Sequence, residues 1–187
     1  MPVRGRFRLR FPLRRGCAAV LLFSVLPKRL EKFGLEVAPE KTQVLRFSRF
    51  HPSMKRRITF LGFELFWFPD RNGTPQVMRR TARKKLHGAI ARITDWIKSH
   101  RHLLGREFIK GLNRRLLGHY NYYGLRGNSR GLWCFFQTAV ESAFKWLNRR
   151  GGKRRSFTWP VFNRALQKLG IARPRITEKP GAQPVFA

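Results

Sequence analysis

The feature that most limits how this chain can fold is its charge imbalance: 187 residues carry 41 lysines and arginines against 9 aspartates and glutamates, a formal net charge of +32. Most of the cations can find no carboxylate within the chain. A compact state must spread them over its surface and bear their repulsion until counterions or a polyanion neutralise them. Disorder would relieve the strain, but 42% apolar and 13% aromatic residues are enough for a core. A chain of this length can bury roughly 70% of its extended surface, so one domain, or two small ones, with a positive exterior is expected. Nucleic acid is the commonest partner for such a surface, and anionic membrane is the weaker alternative. No stretch reaches the roughly 18 uninterrupted apolar residues of a membrane span, so no membrane partner is expected.

The scarcity of acid is equally informative. The only aspartates are Asp70 and Asp95, far apart and in different predicted elements. Two-metal polymerase or nuclease chemistry needs clustered carboxylates to hold Mg²⁺, and no Asp-Asp or Asp-x-Asp pair exists. Cys17 and Cys134 make no Cys-x-x-Cys, which argues against zinc fingers and a disulfide framework. His100 and His102 read as solvated. No metal and no cofactor are expected, and the compartment expected is the reducing cytoplasm.

Residues 1–26 stand apart: arginines at 4, 6, 8, 10, 14 and 15 precede the apolar run Cys17–Leu26, a superficial likeness to a signal peptide without a small-residue cleavage pattern. A short helix is predicted over Pro27–Lys32, with Leu30 and Phe33 inward and Gly34 past its end. Thr42–Phe47 reads as a strand. The aromatic run Ile58–Phe68, closed by Asp70-Arg71-Asn72-Gly73 and answered by Gln76–Met78, reads as a β-hairpin. After Arg80 the period becomes helical. Leu86, Ile90, Ile93 and Ile97 mark one helix, and Phe108, Leu112, Leu116 and Tyr120 a second. A third, capped by Asn128 or Ser129, carries Leu132, Phe136, Val140, Phe144 and Leu147 inward. A fourth starts near Thr158, buries Phe162, Leu166 and Leu169, and stops at Gly170. Residues 171–187 are predicted to be a flexible tail.

Three basic clusters lie on this framework: Arg79, Arg80, Arg83, Lys84 and Lys85 at a helix start; Arg114 with Arg115; and Lys145 through Arg149, Arg150, Lys153, Arg154 and Arg155. Cations at a helix N-terminus oppose its dipole, so an external anion would explain the first cluster, and simple solvation is the alternative. The run His119, Tyr120, Asn121, Tyr122, Tyr123 cannot turn all three tyrosines toward one core, so at least one ring should be accessible. Exposed tyrosines beside arginines can stack on unpaired bases, as in the reading of irregular RNA. The competing reading makes them core and interface aromatics with wet hydroxyls.

Four segments together resemble the C-terminal part of bacterial group II intron reverse transcriptase/maturases: Phe33-Gly34-Leu35-Glu36-Val37-Ala38-Pro39-Glu40-Lys41-Thr42; Phe60-Leu61-Gly62-Phe63; Gly118-His119-Tyr120-Asn121-Tyr122-Tyr123; and Phe144-Lys145-Trp146-Leu147-Asn148-Arg149-Arg150. The resemblance covers about residues 25–176. It implies a mainly α (α+β) fold, with a small β-hairpin remnant of the palm over 27–79 and a basic helical thumb and maturase bundle over 80–170. It also implies that Lys41, Phe60, Leu61, Gly62 and Phe63 are palm remnants near a primer strand, and that Arg114–Tyr123 and Lys145–Arg155 face RNA.

The departure is at the front, where the family's fingers, most of its palm and its Tyr-Ala-Asp-Asp motif would stand. If Val3-Arg4-Gly5-Arg6-Phe7 is encoded GTA CGC GGA CGA TTT, the frame one base later reads Tyr-Ala-Asp-Asp. Residues 3 to about 22 of the atypical segment 1–26 are therefore expected to be the catalytic strand translated out of frame, with the family's frame restored near Phe23; a signal peptide and a genuine basic arm are the competing accounts. The expected function is binding of structured RNA, group II intron RNA in particular, in aid of splicing and without polymerase activity. In the intact family, Mg²⁺ serves the polymerase. The alternatives are part of an active RNA-directed DNA polymerase and a general basic protein that also binds DNA.

Overall fold

The computed structural model describes residues 16–38, 47–48, 50, 52–53, 55–149 and 157–178, with side chains from residue 24 onward. The elements run α1 (Gly16–Glu31), β1 (Ile58–Phe60), β2 (Phe63–Pro69), β3 (Pro75–Thr81), α2 (Arg83–Ser99), α3 (Gly105–Tyr123), α4 (Ser129–Asn148) and α5 (Trp159–Lys168). The fold is mainly α with a small antiparallel sheet. The strand expected at Thr42–Phe47 lies outside the described residues save Phe47, which is not in a strand.

Helix α1 crosses the expected boundary at residue 26 and carries Pro27 inside it. It ends in a tight reversal: Leu35 N–H donates to Leu30 O (3.1 Å) and Gly34 N–H to Glu31 O (3.0 Å), with Gly34 at φ 66°. Phe33 was expected inward and is 77% exposed, because it stands in this reversal, past the helical stripe that would have turned it inward.

The aromatic run is two strands rather than one, and the sheet is a meander of order β1-β2-β3. Phe60 pairs with Phe63, which leaves Leu61 and Gly62 as a two-residue turn with φ 46° and 84°. Positive φ at both central positions is the turn that matches strand twist. Leucine there costs on the order of 1 kcal/mol, and the turn is held from outside: Tyr122 Oη donates to Leu61 O (2.9 Å) and Ala82 N–H to Gly62 O (2.8 Å). Strand β3 continues through Thr81, so Arg79 and Arg80 belong to the sheet and not to the first turns of α2.

Helices α2, α3 and α4 form one layer. Thr94 Oγ1 meets Ser142 Oγ at 3.3 Å and Thr81 meets Asn128, so α2 and α4 run parallel. Helix α3 runs back between their ends, with Trp96 of α2 stacked on Phe108 at 5.6 Å. Gly111 permits this approach, since a Cβ there would lie 2.7 Å from the Trp96 ring. The α3 stripe is as predicted, with Leu112, Leu116 and Tyr120 fully buried and Phe108 1% exposed. On α4 the expected stripe holds at Leu132, and beyond it the most buried positions stand one residue earlier than expected. Leu132, Phe135, Ala139 and Ala143 are buried, whereas Phe136, Val140, Phe144 and Leu147 are half-buried. The small alanines let α4 pack closely on α2, and the bulkier residues flank that seam. Helix α5 crosses the far end, with Phe144 stacked on Trp159 at 4.0 Å.

The segment after α5 departs most from expectation. Residues 171–178 lie against α3 as a strap. Asn113 donates to Gly170 O (2.8 Å) and accepts from Ala172 N–H (2.8 Å). Tyr120 Oη donates to Ala172 O (3.2 Å), and Thr177 N–H donates to Gly124 O (2.8 Å). The proline and glycine content of the tail suggested an extended or disordered chain, but α3 offers polar groups at successive turns that satisfy the strap's backbone.

Candidate nucleic-acid interface

The predicted basic and aromatic residues fall into three groups. The first builds the seam between sheet and helices. Glu64 of β2 stands opposite Arg80 of β3 and accepts from its Nε (2.9 Å) and Nη2 (2.7 Å), with Arg57 Nη1 3.9 Å away. Burial alone would raise the Glu64 pKa, but the Arg80 hydrogen bond and charge, the Arg83 N–H and the Arg57 charge outweigh it and hold it below its ordinary value. Glu64 thus sets a carboxylate charge beside the start of α2, where an external anion was expected. Arg79 is paired with Glu178 of the strap (2.6 Å), and their side chains are 18% and 9% exposed. Glu178 also accepts from Arg126 N–H (2.7 Å). Arg79 and Arg80 therefore serve the fold.

The aromatic run His119–Tyr123 divides likewise. His119 is 8% exposed, stacked on Phe135 at 3.8 Å, with its Nε2 unpaired among the described residues. Burial, reinforced by the charge of Arg92, lowers its pKa to about 4, so the ring is neutral. Tyr120 is core. Tyr123 is half-buried on Phe63, centroids 5.2 Å apart, and burial, reinforced by the charge Tyr122 would carry, raises the Tyr123 pKa. The accessible ring is Tyr122, 53% exposed, and its hydroxyl is engaged with the Leu61 turn. Phe60-Leu61-Gly62-Phe63 and the tyrosine run are thus two sides of one contact, and a Gly62 Cβ would lie 3.1 Å from Tyr123 Oη. Asn121 is exposed. Asn128, 1% exposed, accepts from Thr81 N–H (2.9 Å) and donates to Thr81 Oγ1 and Tyr123 O (both 2.8 Å). It fastens sheet, α3 and α4 together instead of capping α4 with its side chain.

The second group faces outward. Arg83, Lys84 and Lys85 are exposed at the start of α2, and Arg114 on α3. Arg114 lines an open groove of about 730 Å³ between α3 and α5, with Arg106, Lys110, Asn113 and Lys168 as the polar wall and Ile109, Leu117 and Leu169 as the floor. Arg106, Lys110 and Arg114 are spaced by four, so they stand in a row about 6 Å apart along the helix. None of these four cations makes an ion pair among the described residues. Arg106 and Lys110 were missed in the sequence although their spacing with Arg114 was there to count; Lys168 is brought in by the α5 crossing and left no local signal. Arg115 points elsewhere. It lies 4.2 Å over the Trp96 ring, where burial and Arg114 lower its pKa.

The third group, Lys145 and Arg149, occupies the last turns of α4. Arg150, Lys153, Arg154, Arg155 and Lys41 lie outside the described residues. Asp70 closes the β2–β3 turn, where it accepts from Arg71 N–H and Gln76 Nε2, and Asp95 is exposed on α2. Among the described residues no three His, Cys, Asp or Glu side chains gather where they could hold a metal, and no helix is long and apolar enough to cross a membrane.

No family model, curated protein or solved structure matches the chain.

Proposed function

We propose that this protein is an RNA-binding module of the group II intron maturase kind, acting in the cytoplasm to hold structured intron RNA for splicing. The observation that carries the reading is the row Arg106, Lys110 and Arg114 with Lys168 along an open groove, four cations without an acid partner among the described residues. A groove that is shallow, positive and apolar-floored suits an extended phosphate backbone with sugars against the floor better than a small molecule, which needs enclosure. The resemblance of four sequence segments narrows polyanion to intron RNA.

Binding would be dominated by phosphate neutralisation, with log affinity falling by roughly 0.7 to 0.9 per neutralised phosphate for each decade of salt. The test is titration of a group II intron transcript and of a duplex DNA of equal charge at several salt concentrations. Steep salt dependence with tighter binding to the transcript is expected. A flat salt response overturns the reading, and equal affinity for both ligands assigns the chain to general basic nucleic-acid binders. Primer extension by the purified chain would instead place it with polymerases; none is expected, because its two aspartates stand on a turn and on α2.

A further inference from the structure

At the end of the helical layer remote from the sheet, four cations surround one indole. Lys98 Nζ lies 5.3 Å from the Trp146 ring centroid and Arg101 5.7 Å, both from the end of α2. Arg149 lies at 5.4 Å and Lys145 at 6.0 Å, both from the end of α4. The parallel packing of α2 and α4 brings the two pairs together, although about fifty residues separate them in sequence. The sequence marked Lys145 and Arg149 alone.

Electrostatics does not balance this cluster from within. Two helix C-termini contribute about −0.5 charge each, which leaves roughly three of the four positive charges. An indole attracts a cation through its face by only about 0.5 to 1 kcal/mol at an exposed site, and four cannot all take the best position. Asp95 and Glu141, one helical turn earlier on the same two helices, make no ion pair among the described residues. Lys98, Lys145 and Arg149 are exposed and Trp146 and Arg101 are half-buried, so the cluster is open to a ligand.

We propose that Lys98, Arg101, Lys145 and Arg149, set around Trp146, form a single phosphate-binding site that grips the backbone of bound RNA at a point distinct from the α3–α5 groove. The proposal rests on the RNA-binding reading above. Guanidinium groups supply paired donors to phosphate oxygens and ammonium groups supply point charge. Two helices contribute equally, so the site exists only when α2 and α4 are docked. A bound phosphate would draw the cations off the ring and change the emission of Trp146.

The test is a double-mutant cycle in the full chain, with binding of the intron transcript as the readout. Lys98→Gln with Arg101→Gln, and Lys145→Gln with Arg149→Gln, are each expected to weaken binding about 10-fold, and all four together less than about 30-fold, because one site is lost only once. Lys28→Gln with Arg29→Gln, exposed on α1, is the control and should cost about twofold or less. In Trp146→Phe, which keeps an aromatic face, affinity should hold within about twofold while the RNA-induced fluorescence change is lost. Losses that multiply to about 100-fold overturn the proposal in favour of a diffuse positive field, and unchanged affinity removes the cluster from the interface. If the four-fold variant keeps RNA binding but loses binding to phosphatidylserine vesicles, the site belongs to a lipid surface. If the wild type itself binds RNA without salt dependence, the underlying reading fails instead.

Discussion

The two ends of the helical layer treat positive charge in opposite ways. At the sheet end, Arg57, Arg79 and Arg80 each meet Glu64 or Glu178, two of the chain's few acids, and Asn128 satisfies the backbone between them. At the far end, Lys98, Arg101, Lys145 and Arg149 meet an indole and, among the described residues, no acid. With so few carboxylates available, those that are used sit where an unpaired charge would be half-buried and costly. The far end is left to solvent, where a lone cation costs little and a polyanion can reach it. Sequence clusters of cations are therefore poor guides to an interface until the positions of the acids are known.

The contrast predicts a sheet end that is sensitive to substitution and acid, and a far end that is sensitive only to salt and ligand. The largest effect is expected for Asn128→Ala, which leaves Thr81 and Tyr123 backbone groups buried and unpaired and should lower unfolding free energy by about 4 kcal/mol. Urea denaturation measures it, and a loss below about 1 kcal/mol would mean that the seam does not depend on this side chain.

Next is pH. The folded His119 pKa of about 4 lies below the ordinary 6.5, so between these values the unfolded chain takes up a proton that the folded chain refuses. The stability present above pH 6.5 should fall by up to about 3 kcal/mol as pH drops to 4. His119→Phe, which keeps the stack on Phe135, should remove this slope. The Glu64 and Glu178 pKa values are held below the ordinary 4.5. Their contribution is full above that value and is lost as pH falls through the lowered ones, so a second decline should remain in His119→Phe.

Glu178→Gln keeps the shape but leaves Arg79 without its countercharge, at a cost of about 2 kcal/mol in thermal or urea unfolding. The smallest stability effect is expected from Arg106→Gln, Lys110→Gln and Arg114→Gln together, within about 0.5 kcal/mol of wild type. The same triple variant should reduce the salt slope of RNA binding by roughly 2. A stable triple variant with an unchanged slope would remove the groove from the interface and leave the far-end cluster to account for binding.

Much of the helical layer was legible because 3.6-residue periodicity and large apolar residues coincide on α3 and, at Ile93 and Ile97, on α2; Leu86 and Ile90 are half-buried beside the unforeseen Ala89 and Trp96. On α4 Leu132 was legible, but beyond it the most buried face was missed by one position because Ala139 and Ala143 carry it, and size alone pointed to the half-buried Phe136 and Phe144. The turn at Leu61-Gly62 was visible only as a glycine in an aromatic run, since leucine at positive φ is held there by Tyr122 from another element. The strap was illegible for a similar reason: its hydrogen bonds are made with α3 and not within itself. Arg79 and Arg80 looked like ligand cations because Glu64 and Glu178 are distant in sequence.

The Arg79–Glu178 bond joins residues 99 positions apart, and this sets an order of events during synthesis. Helices α2 to α4 pack through contacts such as Thr94–Ser142, 48 positions apart, which can form once α4 has emerged and well before the strap exists. The sheet can gain its last anchor only when the strap has been made and has cleared the ribosome. A chain that stops before Glu178 would therefore present a formed helical layer with its sheet unlatched, so the final step of folding is also a check that translation has gone that far.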